Sequence, residues 1–120
     1  MLNKKNKNEN KFSPTCHVYE IEDAKLFGLI PSILLYNIKF WLKVNLEHQK
    51  NIYDNRVWTF NSVTNFKKLY PEFTERQIEY ALTKLIKQGV VIVGNYNKRK
   101  YDKTRWYSII ENESTANDES

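Results

Sequence analysis

Three observations predict a mainly α, α+β fold. One helix carries both its start and its stop signal, a shorter helix lies a few residues ahead of it, and two strand-forming runs joined by a strongly basic loop follow it. Helix, turn, helix and then hairpin is the order of a winged helix-turn-helix, with the C-terminal β-hairpin as its wing.

The marked helix can be argued from its own residues. Thr74 followed by Gln77 forms a capping box, in which the hydroxyl accepts from an early backbone N–H and the amide reaches back to the cap. Ile78, Ala81, Leu82 and Leu85 then recur at three- and four-residue spacing, and Gly89 stands where a helix stops by turning left-handed. With Ile78 at the centre of the buried stripe and about 100° per residue, Arg76, Tyr80, Thr83, Lys84 and Lys87 fall on the opposite face. One face is core; the other is cationic and hydrogen-bonding.

Upstream, Trp58-Thr59-Phe60 alternates like a short strand and Asn61-Ser62 offers an N-cap. Val63, Phe66 and Leu69 carry helical spacing as far as Tyr70, where Pro71 forces a break because it disfavours helical geometry in the residue before it. Downstream, Val90-Val91-Ile92-Val93 and Arg105-Trp106-Tyr107-Ser108-Ile109-Ile110 are β-forming runs without helical period. Gly94-Asn95-Tyr96-Asn97 loosens the first of them. From Lys98 to Arg105 the connection holds five basic residues, Lys98, Arg99, Lys100, Lys103 and Arg105, against the single acid Asp102. A hairpin tip of that charge suits a phosphate backbone.

The longest helical candidate, residues 32–48, is preceded by Pro31 in its first turn. Its apolar residues Ile33, Leu34, Leu35, Ile38, Trp41, Leu42 and Val44 cover a broad arc, as a central core helix does. Lys39, Lys43 and Glu47 mark its wet side. Tyr36 and Phe40 lie on that side too, as the edge of a wide core contact or as a patch that another chain covers. Before it, Val18-Tyr19-Glu20-Ile21 alternates like a short strand, and Asp23 opens a short helix through Ala24, Leu26 and Phe27 to Gly28. Residues 45–56 read as a helix end followed by a loop.

With 120 residues there is room for one domain, expected over 16–110, between a disordered basic tail at 1–15 and a disordered acidic tail at 111–120. The formal charge of +5 is uneven: residues 1–11 carry +3, residues 111–120 carry −4, and the part between them carries +6. The lysine-rich start is either a solubilising tail or a DNA-contacting arm. The acidic end serves solubility or competes weakly for the basic face. A single cysteine, Cys16, excludes an internal disulfide. No run approaches the roughly 18 apolar residues of a membrane span or resembles a signal peptide, so the expected setting is the cytoplasm, without a membrane partner.

Chemistry is sparse. Cys16-His17 lacks a second pair at zinc-finger spacing, so neither a metal nor any cofactor is expected. The three glycines, Gly28, Gly89 and Gly94, cannot form a phosphate-binding loop. Glu20, Glu22 and Asp23 are read more simply as a helix-start charge effect than as acid–base groups. No enzyme is expected. What is left is binding: Arg76, Lys84 and Lys87 supply charge, and Gln77, Tyr80 and Thr83 supply hydrogen bonds. A solvated face is the simpler reading of any one amphipathic helix, but the helix pair, the basic hairpin and the positive domain together favour duplex DNA.

Several stretches also resemble a known family. These are Asp23-Ala24 with Gly28, Ser32-Ile33-Leu34-Leu35-Tyr36-Asn37-Ile38, Trp58-Thr59-Phe60-Asn61-Ser62, Tyr70-Pro71-Glu72-Phe73-Thr74, and Gly94-Asn95-Tyr96-Asn97 through Asp102-Lys103-Thr104-Arg105-Trp106-Tyr107. They look like the winged-helix N-terminal domain of phage and plasmid replication proteins, the replisome-organiser or DnaD-like initiators, over about residues 17–110. The resemblance implies origin-DNA binding or self-association, with a separate C-terminal part for DNA or the helicase loader. That part is not expected in a sequence that ends some ten residues after the hairpin. Small phage proteins of this fold also act as transcriptional regulators or as inhibitors of host nucleic-acid machinery, CRISPR effectors among them. The expectation is therefore a phage- or plasmid-type DNA binder in replication or transcription. The alternatives are a module that engages a host protein or ribonucleoprotein, and a homodimer through the long helix.

Overall fold

A computed structural model describes residues 15–110, so the expectations for both tails, Thr15 apart, lie outside the described residues. The described chain forms four helices and two small antiparallel sheets. The order is α1 (Ile21–Phe27), α2 (Leu29–Glu47), β1 (Ile52–Tyr53), β2 (Arg56–Val57), β3 (Thr59–Asn61), α3 (Val63–Leu69), α4 (Glu75–Lys87), β4 (Val91–Gly94) and β5 (Arg105–Ile109).

The core sits between α2, α3, α4 and the inner face of the larger sheet. Leu34, Leu35 and Ile38 of α2 meet Ile78, Leu82 and Leu85 of α4, with Phe66, Tyr70 and Tyr107 closing the sides. Both ends of α4 are built as the sequence indicates. Gln77 N–H donates to Thr74 Oγ1 at 3.0 Å, and Thr74 N–H donates to Gln77 Oε1 at 2.9 Å. At the other end Gly89 has φ +76°, its N–H donates to the Ile86 carbonyl, and the Val90 N–H donates to the Leu85 carbonyl. This pair of bonds is a Schellman stop, which needs a left-handed residue at Gly89. Ser62 caps α3 through its Oγ, as expected.

The N-terminal segment departs from expectation. Residues 18–21 are not a strand: residues 16–20 run unpaired and α1 begins at Ile21, two residues before Asp23. Glu22 and Asp23 sit in its first turn, where the helix dipole favours carboxylates, and among the described residues no strand pairs with the segment. The long helix likewise starts at Leu29, with Pro31 in its first turn, where a missing N–H costs nothing. The segment 45–56 is more than a loop. Asp54 and Asn55 both have positive φ and join β1 to β2 as a two-residue hairpin, pairing Ile52 with Val57 and Tyr53 with Arg56.

In the larger sheet β5 is central, in the order β3-β5-β4. Phe60, Trp106 and Gly94 are register partners across it, so they share the outer face, while their neighbour Tyr107 enters the core. Aromatic rings pave that outer face. Tyr53 stacks on Tyr96 at 4.6 Å between centroids and 9° between planes, and Trp58 and Trp106 stand against Tyr96 at 5.0 and 5.7 Å. A side chain at Gly94 would place its Cβ 2.9 Å from Tyr96 and 3.0 Å from Trp58, which is why that strand end carries none. The β1–β2 hairpin is fastened over this layer by Trp58 Nε1–H donating to the Tyr53 carbonyl, Ser108 Oγ–H to the Val57 carbonyl and the Arg56 guanidinium to the Ile109 carbonyl.

Tyr70, 2% exposed, accepts a hydrogen bond from the Asn37 amide, and burial pushes its phenol up to about 12 from the ordinary 10.0. Above pH 10 the unfolded chain loses this proton while the folded one keeps it, so the stability present below pH 10 drains away as pH rises toward 12. The loss from this group is on the order of 2–3 kcal/mol. Urea unfolding of the wild type and Tyr70→Phe across that window is expected to give a shallower decline for the variant. Parallel declines would mean that Tyr70 titrates normally. Tyr96 and Tyr107 are also raised and affect both proteins alike.

Candidate nucleic-acid interface

The outward residues of α4 fall into a free strip and two occupied flanks. Arg76, Tyr80 and Lys87 are exposed along one line, with the half-buried Thr83 beside them, and Tyr80 is 70% exposed. On one flank Lys84 is half-buried, because its Nζ lies against Gly28 at the elbow between α1 and α2. Gln77 on the same side is exposed, but its Oε1 is committed to the Thr74 cap. A two-pronged amide contact to adenine would compete with that bond.

The other flank faces β5. Both oxygens of Glu79 accept from Arg105 Nη2, at 2.9 and 2.8 Å, and the carboxylate raises the guanidinium above its ordinary pKa. Arg105 thus fastens the base of the β4–β5 loop to α4. It is 35% exposed at the side chain and already paired, unlike the other basic residues assigned to this loop. The packing of α4 beside the sheet puts Glu79 and Arg105 side by side, and nothing in their local sequence announces it.

The loop itself is held from inside. Asn97 accepts from the Trp106 indole at 2.7 Å and donates to the carbonyls of Asp102 and Thr104 at 2.9 and 2.8 Å. Asp102, the loop's one acid, accepts from the Thr104 backbone N–H, which holds its carboxyl below the usual range. These bonds leave Lys98, Arg99, Lys100 and Lys103 exposed on the outside, with the Arg99 guanidinium 5.9 Å from the Tyr101 ring. An asparagine in a basic loop carries no distinctive signal, so its role as the internal clamp was missed from sequence.

Tyr36 and Phe40 lie away from this surface, half-buried on α2 beside Lys39, Lys43 and Val44, and Phe40 stands edge-on to Trp41 at 5.2 Å. Lys39 is less free than its position on the wet side suggests. Burial pulls its ammonium down, but Asp23 at 2.9 Å and Glu20 at 3.4 Å more than offset this and leave it raised. His17 is likewise engaged: its Nε2 meets Glu72 at 2.6 Å, and its ring packs edge-on to Tyr70 at 4.8 Å. The segment before α1 is thereby pinned to the connection between α3 and α4.

Among the described residues no group of three or more His, Cys, Asp or Glu is placed to hold a metal ion. None of the described helices is long and apolar enough to cross a membrane. Comparison of the chain with protein families, with characterised proteins and with solved structures finds no match. Chemically, the arrangement offers a cationic helix strip and a braced cationic loop, joined by one salt bridge.

Proposed function

We propose that the domain is a winged helix-turn-helix of the phage and plasmid replication-protein type, acting in the cytoplasm as a non-enzymatic duplex-DNA-binding module in replication or transcription. In this reading α3 and α4 are the helix pair, α4 lies in the major groove, and the β4–β5 loop is the wing that follows the phosphate backbone. The Glu79–Arg105 bridge carries the proposal. It ties the base of the loop that carries the exposed cations to the helix that carries the strip, which suits two charged elements acting on one duplex. The order β3-β5-β4, with β3 ahead of the helix pair and the hairpin behind it, suits the same reading.

Arg76, in the first turn of α4, is the candidate base reader and Lys87, at its far end, a phosphate contact. Anisotropy of a labelled duplex across a salt series is expected to show affinity falling steeply with salt. Within that series Arg76→Ala is expected to cost about 1–3 kcal/mol on a selected sequence and much less on random duplex. Equal losses on both would make Arg76 a phosphate contact, and a wild type that fails to bind any duplex at low salt would overturn the assignment.

A second reading, a module that engages a host protein or ribonucleoprotein, draws on the elbow between α1 and α2. There Ile21, Leu26 and Leu29 are more than half exposed, and α1 buries no residue. It predicts duplex-independent binding that Leu26→Asp abolishes.

A further inference from the structure

The outer side of β3 presents a second surface that the helix strip does not use. Phe60, the middle residue of this edge strand, is 49% exposed, and its ring leans on Trp106 at 4.6 Å. Two hollows meet at that ring. One, of about 540 Å³, opens toward the β4–β5 loop between Tyr53, Tyr96, Trp106 and Lys98 with Arg99. The other, of about 650 Å³, opens toward α3 and is lined by Lys50, Asn61, Asn65 and Lys68. Asn51 and Phe60 line both hollows, so the two form one trough with cations at each end and aromatic rings in the middle. Asp102 is the one carboxylate among the residues lining it.

This chemistry selects among nucleic acids. A duplex keeps its base faces stacked on each other and offers only edges and backbone, so the exposed ring of Phe60 has nothing to stack on there. A single strand offers its base faces, and ring stacking flanked by a positive groove is how single strands are held without regard to sequence. The side-chain amides of Asn51 and Asn65 along the wall supply donors and acceptors for base edges.

We propose that this trough binds single-stranded nucleic acid, with an unpaired base stacked on Phe60 and the flanking phosphates held by Lys50 and Lys68 on one side and Lys98 and Arg99 on the other. The site is separate from the α4 strip and shares only Lys98 and Arg99 with the proposed duplex surface.

The test is anisotropy of short labelled oligo-dT, oligo-U and duplex probes with Phe60→Ala, Phe60→Leu and the pair Lys50→Ala/Lys68→Ala. Phe60→Leu keeps an apolar contact with Trp106 but has no π face, so it separates stacking from folding, and thermal melts report the fold directly. Phe60→Leu and the lysine pair are each expected to weaken single-strand binding about ten-fold or more while duplex affinity stays within about two-fold. A loss seen with oligo-dT alone assigns DNA, with oligo-U alone RNA, and with both a preference for single strands as such. The proposal is overturned if the wild type binds neither oligomer at low salt. It is equally overturned if Phe60→Leu binds both as the wild type does, or if all probes weaken together. A wild type that binds the oligomers but no duplex would sink the α4 reading and leave the trough standing.

Discussion

Trp106→Ala is expected to cost about 3–5 kcal/mol and to loosen two segments that do not touch each other in sequence. Trp106 is 7% exposed in the central strand β5, with Phe60 leaning on it and the rings of Tyr53 and Tyr96 edge-on to it at 5.8 and 5.7 Å. Its indole N–H is also the donor that fixes Asn97, and Asn97 in turn holds the carbonyls of Asp102 and Thr104. Truncation removes the floor under the β1–β2 hairpin and leaves a semi-buried amide oxygen unpaired, which adds a desolvation penalty to the cavity term. Urea unfolding gives the energy; amide exchange gives the location, with faster exchange expected at residues 52–57 and 95–104 and the α2–α4 core slowed as before. Trp106→Phe keeps a ring but loses the N–H. It is expected to cost about 1–2 kcal/mol, with the added exchange confined to the β4–β5 loop. An alanine variant that loses under about 1 kcal/mol would mean that the aromatic layer is ornamental to the fold.

The same residue separates what was legible in the sequence from what was not. Helix α4 was readable because every signal for it is local: Thr74 and Gln77 are three residues apart, Ile78 and Leu82 four, and Gly89 closes the helix within its own turn. The β4 and β5 strands follow directly, with no other element between them, so their pairing was the simplest choice. The β1–β2 hairpin left a weaker trace. Asp54-Asn55 between Ile52-Tyr53 and Arg56-Val57 is a two-residue hairpin pattern, but each strand is too short to show alternation. The strand expected at 18–21 failed for the opposite reason, since alternation over four residues has no meaning without a neighbour to pair with.

For the candidate interface the divide is sharper. Helical stepping placed Arg76, Tyr80 and Lys87 outward correctly, because it needs only the helix and its buried face. It could not see what stands beside that helix, so it counted Lys84 and Arg105 with the free cations, although one lies against Gly28 and the other is bound to Glu79. The alternation of Trp58-Thr59-Phe60 puts Phe60 in a strand but on no particular surface, because its exposure depends on β3 being the sheet edge.

Changing Lys98, Arg99 and Lys100 together to alanine is expected to produce the largest loss of affinity on the proposed duplex reading. Each phosphate contact contributes about 0.9 to the slope of log affinity against log salt, so three lost contacts should flatten that slope by about 3. At about 0.1 M salt the same arithmetic gives a loss on the order of 10²–10³-fold, shared by all duplex sequences because phosphate contacts position without specifying. The fold should survive, since all three side chains are exposed and the loop is braced by Asn97, Trp106 and the Asp102–Thr104 turn rather than by its lysines. Arg99 also lies near the Tyr101 ring, but a cation–π contact leaves its charge available to a phosphate. The measurement is duplex affinity at several salt concentrations for the wild type, the triple variant and Lys103→Ala, with the single variant expected to flatten the slope by about 1. If the triple variant keeps the wild-type slope, the β4–β5 loop does not meet the backbone, and any duplex binding must come from α4 alone. If its slope falls while Arg76→Ala changes only sequence preference, positioning and reading belong to different elements, the division of labour that the proposed reading expects of the β4–β5 loop and α4, which Arg105 and Glu79 join.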